Sequence, residues 1–209
     1  MMILFFSVIL LMLPHPSQTQ TKLSAVAQSA EEICPLKVGA HLPDITLPSF
    51  EGKPVNLLAE VTNKPTILIF YRGGWCVYCN TQMMALKNIE KDLLALGYQL
   101  IAISPDRPEK LRETIDRYEL QYTLLSDSKA MAAQAFGLAF RVSDETLQRY
   151  KAINIDLEEA SGEQHHLLPV PAAFVVGKDG VVRFSYVNPN YRVRIDPAVL
   201  LGAAKAALK

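Results

Sequence analysis

Apolar runs and stretches of helical period alternate along most of the chain. PTILIFY, residues 65–71, is continuous, rich in β-branched residues and bounded by Pro65 and Gly73. That is the pattern of a strand buried on both faces. From Asn80 to Leu96 the period changes. Leu86, Ile89, Leu93 and Leu96 recur at spacings of three and four, which predicts an amphipathic helix ended by Gly97. YQLIAIS predicts the next buried strand, closed by Pro105, and PEKLRETIDRYEL a charged helix opening on Pro108. YTLLSD reads as strand and KAMAAQAFGL as a short helix stopped at Gly137. Ahead of these, VGAHLPDITLPSFEGKPVNL reads as loop, short strand, turn at Glu51-Gly52 and short strand. Ser143 to Glu163 is a polar, helix-prone insertion. AAFVVGKDGVVRFSYV predicts two strands joined around Lys178-Asp179-Gly180, since Asp-Gly between apolar runs is a hairpin signal. DPAVLLGAAKAAL is a final helix with Pro197 in its first turn. The order β-α-β-α-β-α, then hairpin and helix, predicts an α/β domain with a mixed central sheet flanked by helices.

Composition changes this picture little. Half of the 209 residues are hydrophobic, enough for a core and too many for a disordered chain. Lys plus Arg and Asp plus Glu balance at 21 each. A balanced chain carries no electrostatic footprint for nucleic acid and points to a small or neutral partner. Ile3 to Leu13 is apolar throughout except for Ser7. It falls short of the ~20 residues that span a bilayer but fits the apolar region of a secretory signal. PHPSQTQ follows, and AVAQSA, ending at Ala30, is a candidate cleavage region. Residues 1–30 are therefore expected to be a signal peptide or membrane leader. The protein would be exported, periplasmic or extracellular, or anchored by that leader, and 31–209 would form the folded domain.

Chemistry concentrates in FYRGGWCVYC, where a buried strand stops at Gly73-Gly74 and a helix begins. Cys76 and Cys79 fall in the loop and first helical turn, among unpaired backbone N–H groups at the positive end of the helix dipole. Both features favour a thiolate and lower a thiol pKa from its free value of ~8.5. With two residues between them, the sulfurs can pair: one attacks and its neighbour resolves the product. A structural disulfide closing so small a loop would stabilise little. Zinc needs four ligands and no second Cys-x-x-Cys is present, so no metal site is expected. Cys34 reads as an inert thiol, His165-His166 as a solvated loop, and Met83 and Met84 as core. Tyr191 and Arg192, in NPNYRVR, read as surface loop without chemistry.

FYRGGWCVYC resembles the W-C-x-x-C site of the thioredoxin-like fold. With LKVGAHLPDITLPSFEGKPVNL, IAISPD, LLSD and LPVPAAFVVGKDGVVRFSYVNPNY, it resembles the peroxiredoxin-like branch of the alkyl hydroperoxide reductase/thiol-specific antioxidant family. The likeness runs from about Leu36 to the carboxyl end. It implies a thioredoxin-like fold and thiol-dependent reduction of hydrogen peroxide or organic hydroperoxides. Recycling would be by thioredoxin or a similar dithiol, with no cofactor. Under the family's F-Y-P-x-x-x-T-x-x-C pattern Cys79 takes the peroxidatic position, Cys76 replaces the Thr, and Arg72 stands in place of Pro. In thioredoxins the first cysteine, here Cys76, attacks instead. The family also brings a distant Arg to the thiolate. None stands in LPVPAAFVV, and Arg72, Arg141 and Arg183, in that order, are the expected substitutes. Trp75 is expected to line a docking surface. Val170-Pro171 matches the cis-proline that faces the cysteines in thioredoxin-like proteins, and a cis bond is expected there. Two other functions stay open: a thioredoxin-like thiol–disulfide oxidoreductase led by Cys76, and a non-catalytic redox-sensing module.

Overall fold

The computed structural model describes residues 24–208. A 3-10 turn at Ala30–Glu32 precedes β1 (Thr46–Pro48), β2 (Pro54–Asn56), α1 (Leu57–Asn63), β3 (Thr66–Phe70) and α2 (Val77–Ala95). Next come β4 (Gln99–Ser104), α3 (Pro108–Tyr118), β5 (Thr123–Ser126), α4 (Met131–Ala135) and β6 (Ala139–Arg141). Two helices, α5 (Asp144–Ala152) and α6 (Leu157–Ser161), separate β6 from β7 (Leu167–Pro169). The chain ends with β8 (Ala172–Val176), β9 (Val182–Val187) and α7 (Pro197–Ala206).

The central sheet has the order β5-β4-β3-β8-β9. β3, β4 and β5 run parallel; β8 is antiparallel to both β3 and β9. This is the expected mixed α/β arrangement, with PTILIFY in the middle strand and all of β3 buried. Alternation along β3 splits the core. Ile67, Ile69 and Tyr71 face Met83, Leu86 and Leu93 of α2 and Leu200 of α7. Leu68 and Phe70 face Leu57 and Val61 of α1 and Phe136 beyond α4. Phe70, Phe136 and Phe174 form an aromatic cluster on that second face, with Phe70 and Phe136 centroids 4.7 Å apart. Each such ring contributes roughly 1.5–3 kcal/mol by leaving water.

Several elements differ from the sequence expectation. α2 starts at Val77, three residues ahead of Asn80. Met83 is buried in the core but Met84 is 40% exposed. Residues 57–63, at and beyond the end of the expected second short strand, form α1, a helix not expected, because the Asn56 side chain caps it by accepting from Ala59 N at 2.8 Å. β6 and β7 pair antiparallel at the base of the insertion. Within it, Ser143 caps α5 and Asp156 caps α6. The insertion packs Leu157 with Val142 and Leu168, against Trp75 and Tyr150, so it closes over the cysteine loop.

The expected leader lies outside the described residues as far as residue 23. Residues 24–30 pack on the body: Ala27 bridges to Phe140, with its N donating to Ala139 O at 3.1 Å. No described helix is long and apolar enough to cross a membrane.

Candidate active site

β3 delivers the chain to a turn that only glycine tolerates. Gly73 has φ of +144°, and a Cβ there would collide with Trp75 Nε1 and Asp106 Oδ1. A Cβ on Gly74 would collide with Thr114 Oγ1. The turn is pinned from two sides. Gly74 N donates to Asp106 Oδ2 at 2.6 Å, and Asn80 Nδ2 donates to Gly74 O at 2.9 Å. Asp106 sits just past β4 and is 1% exposed. Its burial pushes the carboxyl up to about 7, against the pull of the Gly74 N–H.

Cys76 is the N-cap of α2, and Cys79 lies in the first turn. No oxygen side chain caps this helix and its first turn carries no acid, so its positive end is left to the sulfurs. Both are buried thiols, Cys76 3% and Cys79 0% exposed. The pair shares one negative charge, which rests on Cys76. Its pKa falls to about 6, chiefly because the Cys79 thiol donates to it and further because of Arg72, with burial opposing. Cys79 is pushed well up, first by burial and then by its bond to Cys76, while Arg194 pulls it down.

Two arginines reach the sulfurs. Arg72 Nη1 lies 3.8 Å from Cys76 Sγ. The Arg72 guanidinium is buried among aromatic faces, 4.0 Å from the Tyr191 centroid and 4.9 Å from that of Trp75, and donates to the Tyr150 hydroxyl. Arg194 Nη2 lies 3.3 Å from Cys79 Sγ. Its Nε is buried without a hydrogen-bond partner among the described residues.

The expected residues thus meet only in part. Cys76, Cys79, Arg72 and Trp75 come together. Arg141 donates instead to His165 O, and Arg183 pairs with Asp179; neither reaches a sulfur. The distant arginine is Arg194, which the sequence reading missed. Its signal was faint: one of two arginines in a loop without periodicity. Tyr191, read as inert, stacks on Arg72. Pro171 is buried, but no peptide bond among the described residues is cis. The expectation is corrected: the Val170-Pro171 bond is trans. Val170 N donates to Leu138 O and Ala172 already pairs with Phe70 and Val187. The extended path from β7 into β8 keeps the chain in strand pairing and leaves no turn for a cis bond to make. No group of three metal-ligating side chains occurs among the described residues. His165 bonds Ser128 O and His166 bonds Glu158.

The sequence pattern of the AhpC/TSA family matches residues 38–185. The chain belongs to the AhpC/TSA family. Within it, this AhpC/TSA protein is 36% identical over 104 residues to a putative peroxiredoxin bcp of Haemophilus influenzae, and 32% identical over 104 residues to peroxiredoxin Bcp of Escherichia coli. Each alignment covers 50% of this chain and 66% of the relative, just under two thirds of those proteins' own length. Among solved structures, peroxidoxin BcpB of Mycobacterium tuberculosis superposes with a TM-score of 0.65 at 21% identity, over 82% of this chain and 97% of that one. A putative thiol:disulfide interchange protein DsbE of Chlorobium tepidum superposes with a TM-score of 0.55 at 20% identity, over 83% and 99%. The AhpC/TSA protein has the expected thioredoxin-like fold.

Proposed function

We propose that the protein is a thiol-dependent peroxidase that reduces hydrogen peroxide and organic hydroperoxides. The observation that carries this reading is Arg194 against Cys79: a cation 3.3 Å from the sulfur, with a second, unpartnered N–H beside it. Such donors receive charge that develops on a leaving oxygen without first having to reorganise. The family and its peroxiredoxin relatives support the same activity.

The hydrogen bond between the sulfurs supplies the proton route. The Cys79 proton passes to Cys76, leaving a Cys79 thiolate beside Arg194. That thiolate attacks the terminal oxygen of the hydroperoxide. The O–O bond breaks, Cys79 becomes a sulfenic acid, and the departing alkoxide takes the proton held on Cys76 and leaves as the alcohol. The Cys76 thiolate then displaces hydroxide from Cys79, forming the Cys76–Cys79 disulfide; the hydroxide leaves as water after taking a proton from solvent. A thioredoxin-like dithiol supplies the two electrons that restore both thiols. Trp75 and the exposed Val77 and Tyr78 surround the site this donor must reach.

A second reading has a specific observation in its favour. The resting charge lies on Cys76, which suits a thiol–disulfide oxidoreductase that attacks protein disulfides through Cys76. One experiment separates the two. The reduced wild type, Cys76→Ser and Cys79→Ser are mixed with peroxide, and sulfenic acid and thiol loss are followed. The peroxidase reading expects Cys76→Ser to accumulate sulfenic acid and Cys79→Ser to be inert. Sulfenic acid in Cys79→Ser alone moves the attack to Cys76. Rapid insulin reduction with slow peroxide turnover favours the oxidoreductase, and slow chemistry in both leaves a redox sensor. For location, we carry forward export behind a leader over residues 1–30, tested by fractionating cells that make the full chain.

A further inference from the structure

A pocket of about 200 Å³ opens behind the cysteine turn, between α3 and the insertion. It is smaller than the ~300–1,000 Å³ of pockets that hold organic ligands, and roomy enough for several waters. Gly74, Trp75, Asp106 and Thr114 line its inner side. Glu113, Arg117, Asn154, Asp156 and Glu159, all exposed, line its mouth. The pocket thus leads from bulk water to Asp106, a carboxyl 1% exposed whose Oδ1 has no hydrogen-bond partner of ordinary length among the described residues.

Asp106 also faces inward. The Ser104 hydroxyl, at the end of β4, accepts from Asp106 N at 3.3 Å and adjoins both the Asp106 carboxyl and the Tyr71 hydroxyl. Tyr71 is fully buried, and its hydroxyl too lacks a hydrogen-bond partner of ordinary length among the described residues. Tyr71 shares a core cluster with Cys79 and lies within electrostatic reach of its sulfur. Buried oxygens left this way are rare in folded proteins and call for an explanation. Three oxygen groups, Asp106, Ser104 and Tyr71, run from the pocket toward the more deeply buried of the two sulfurs. The charged groups across the pocket from Asp106 are Lys110, Glu113 and Arg117 of α3 and Asp156 and Glu159 of the insertion. Lys110 is held by Glu159 at 2.8 Å and by Glu113 at 3.4 Å. Burial outweighs these charges, so the Asp106 carboxyl keeps its proton up to about pH 7.

We propose that Asp106, acting through the Ser104 and Tyr71 hydroxyls, returns the proton to Cys79 each time the Cys76–Cys79 disulfide is reduced. The proposal rests on that disulfide, which the peroxidase and oxidoreductase readings share, and not on which sulfur meets a peroxide. A donor thiolate attacks Cys76 Sγ and forms a mixed disulfide. The bond between the cysteines breaks, and its electron pair leaves with Cys79 as a thiolate. That thiolate is sealed from solvent, in surroundings where burial favours the thiol. It takes the Tyr71 proton as Tyr71 takes that of Ser104 and Ser104 that of Asp106, in one concerted shift. Water in the pocket then reprotonates the Asp106 carboxylate. The donor's second thiol displaces Cys76 and closes the donor's own disulfide.

The test uses the full-length chain, oxidised with diamide so that no hydroperoxide step enters, and then reduced with dithiothreitol between pH 5.5 and 8.5. Remaining disulfide is read by acid quench and mass spectrometry. Rates are expressed relative to the wild type at each pH, so the ionisation of dithiothreitol cancels. Asp106→Asn keeps the shape of the side chain and its acceptor for Gly74 N but has no proton to pass. It is expected to reduce about 10²-fold more slowly at pH 6, the effect of losing a positioned acid. The gap should close above pH 7, where the wild-type carboxyl has itself lost its proton. Tyr71→Phe, which keeps the ring, should be slowed at every pH, and adding Asp106→Asn to it should slow it no further. Unchanged circular dichroism shows that the variants fold. A wild-type rate for Asp106→Asn at pH 6, a deficit that is the same at every pH, or a wild-type rate for Tyr71→Phe overturns the proposal. Failure of diamide to join Cys76 to Cys79 overturns it together with the disulfide step of both readings. The expected pH-dependent gap in a protein that no hydroperoxide oxidises overturns the peroxidase reading alone and leaves the relay standing.

Discussion

The turn between β3 and α2 and the loop between β9 and α7 both reach the sulfurs, by different means. The turn acts through the backbone: two glycines, a bare helix N-terminus and a buried carboxylate that holds Gly74 N. The loop acts through side chains alone, with Arg194 on Cys79 and Tyr191 on Arg72. The turn makes a thiolate possible; the loop decides what the sulfur can do with it. If that division is right, damage to the turn shows in folding and in resting pKa values, and damage to the loop shows mainly in rates.

The largest separation is expected at Arg194. Arg194→Leu removes a partly buried side chain from a loop and keeps an apolar body in its place, so the unfolding midpoint should move little. The rate of peroxide oxidation of Cys79 should fall about 10²–10³-fold, the usual effect of losing one preorganised donor at a developing charge. Stopped-flow oxidation against thermal unfolding measures both. An unchanged rate breaks the comparison, because the loop would then be packing only.

Gly73→Ala should give the reverse outcome. Its positive φ is costly for any side chain, and the added Cβ would displace Trp75 or Asp106. Strain and overlap together predict a loss of roughly 2–4 kcal/mol in denaturant unfolding. A stability within a few tenths of the wild type shows that the turn is not held as tightly as its contacts indicate.

These two regions also differ in how far the sequence reveals them. The turn was legible because these parts follow one another along the chain: an apolar strand, Gly-Gly, two cysteines and a helical period. The loop was not. Arg194 meets Cys79 across 115 positions, and NPNYRVR has neither periodicity nor a capping pattern to say where it goes. α1 was missed because seven residues carry under two turns of period, although Asn56 before Leu57 was a usable cap signal. β6 and β7 are three residues each, too short for alternation to show. The trans Val170-Pro171 bond depends on strand pairing on both sides, which only the folded chain supplies.

Asp106 sharpens the turn's side of the comparison through pH. Its native pKa of about 7 lies above the ordinary carboxylate value because of burial. The folded state therefore holds a proton that the unfolded chain has released between pH about 4 and about 7. Stability from this group is complete below that window and is lost as pH rises through it. Asp106→Asn should flatten this fall by roughly 4 kcal/mol, measured by urea midpoints from pH 4 to 8. Asp127 is raised to about 7 by burial too, so part of the slope should survive in Asp106→Asn and vanish when Asp127→Asn is added. A slope that Asp106→Asn leaves untouched places the titrating group elsewhere.

The smallest effect tests whether the two regions are joined. Tyr191 lies 4.0 Å from the Arg72 guanidinium and does not itself touch a sulfur. Arg194 of the loop acts on Cys76 through its charge; Tyr191 must act by holding Arg72 in place. Tyr191→Leu removes the π face, worth about 1 kcal/mol at a desolvated cation, and should raise the Cys76 pKa by about half a unit, read from thiolate absorbance against pH. Tyr191→Phe keeps the face and should change nothing. Arg72→Leu should raise the same pKa further, and adding Tyr191→Leu to it should have no additional effect, because the pathway runs through Arg72. Additive shifts in the double variant would mean that Tyr191 reaches the thiolate by another route, and its ring could no longer be described as acting on Cys76 only through an arginine of the turn.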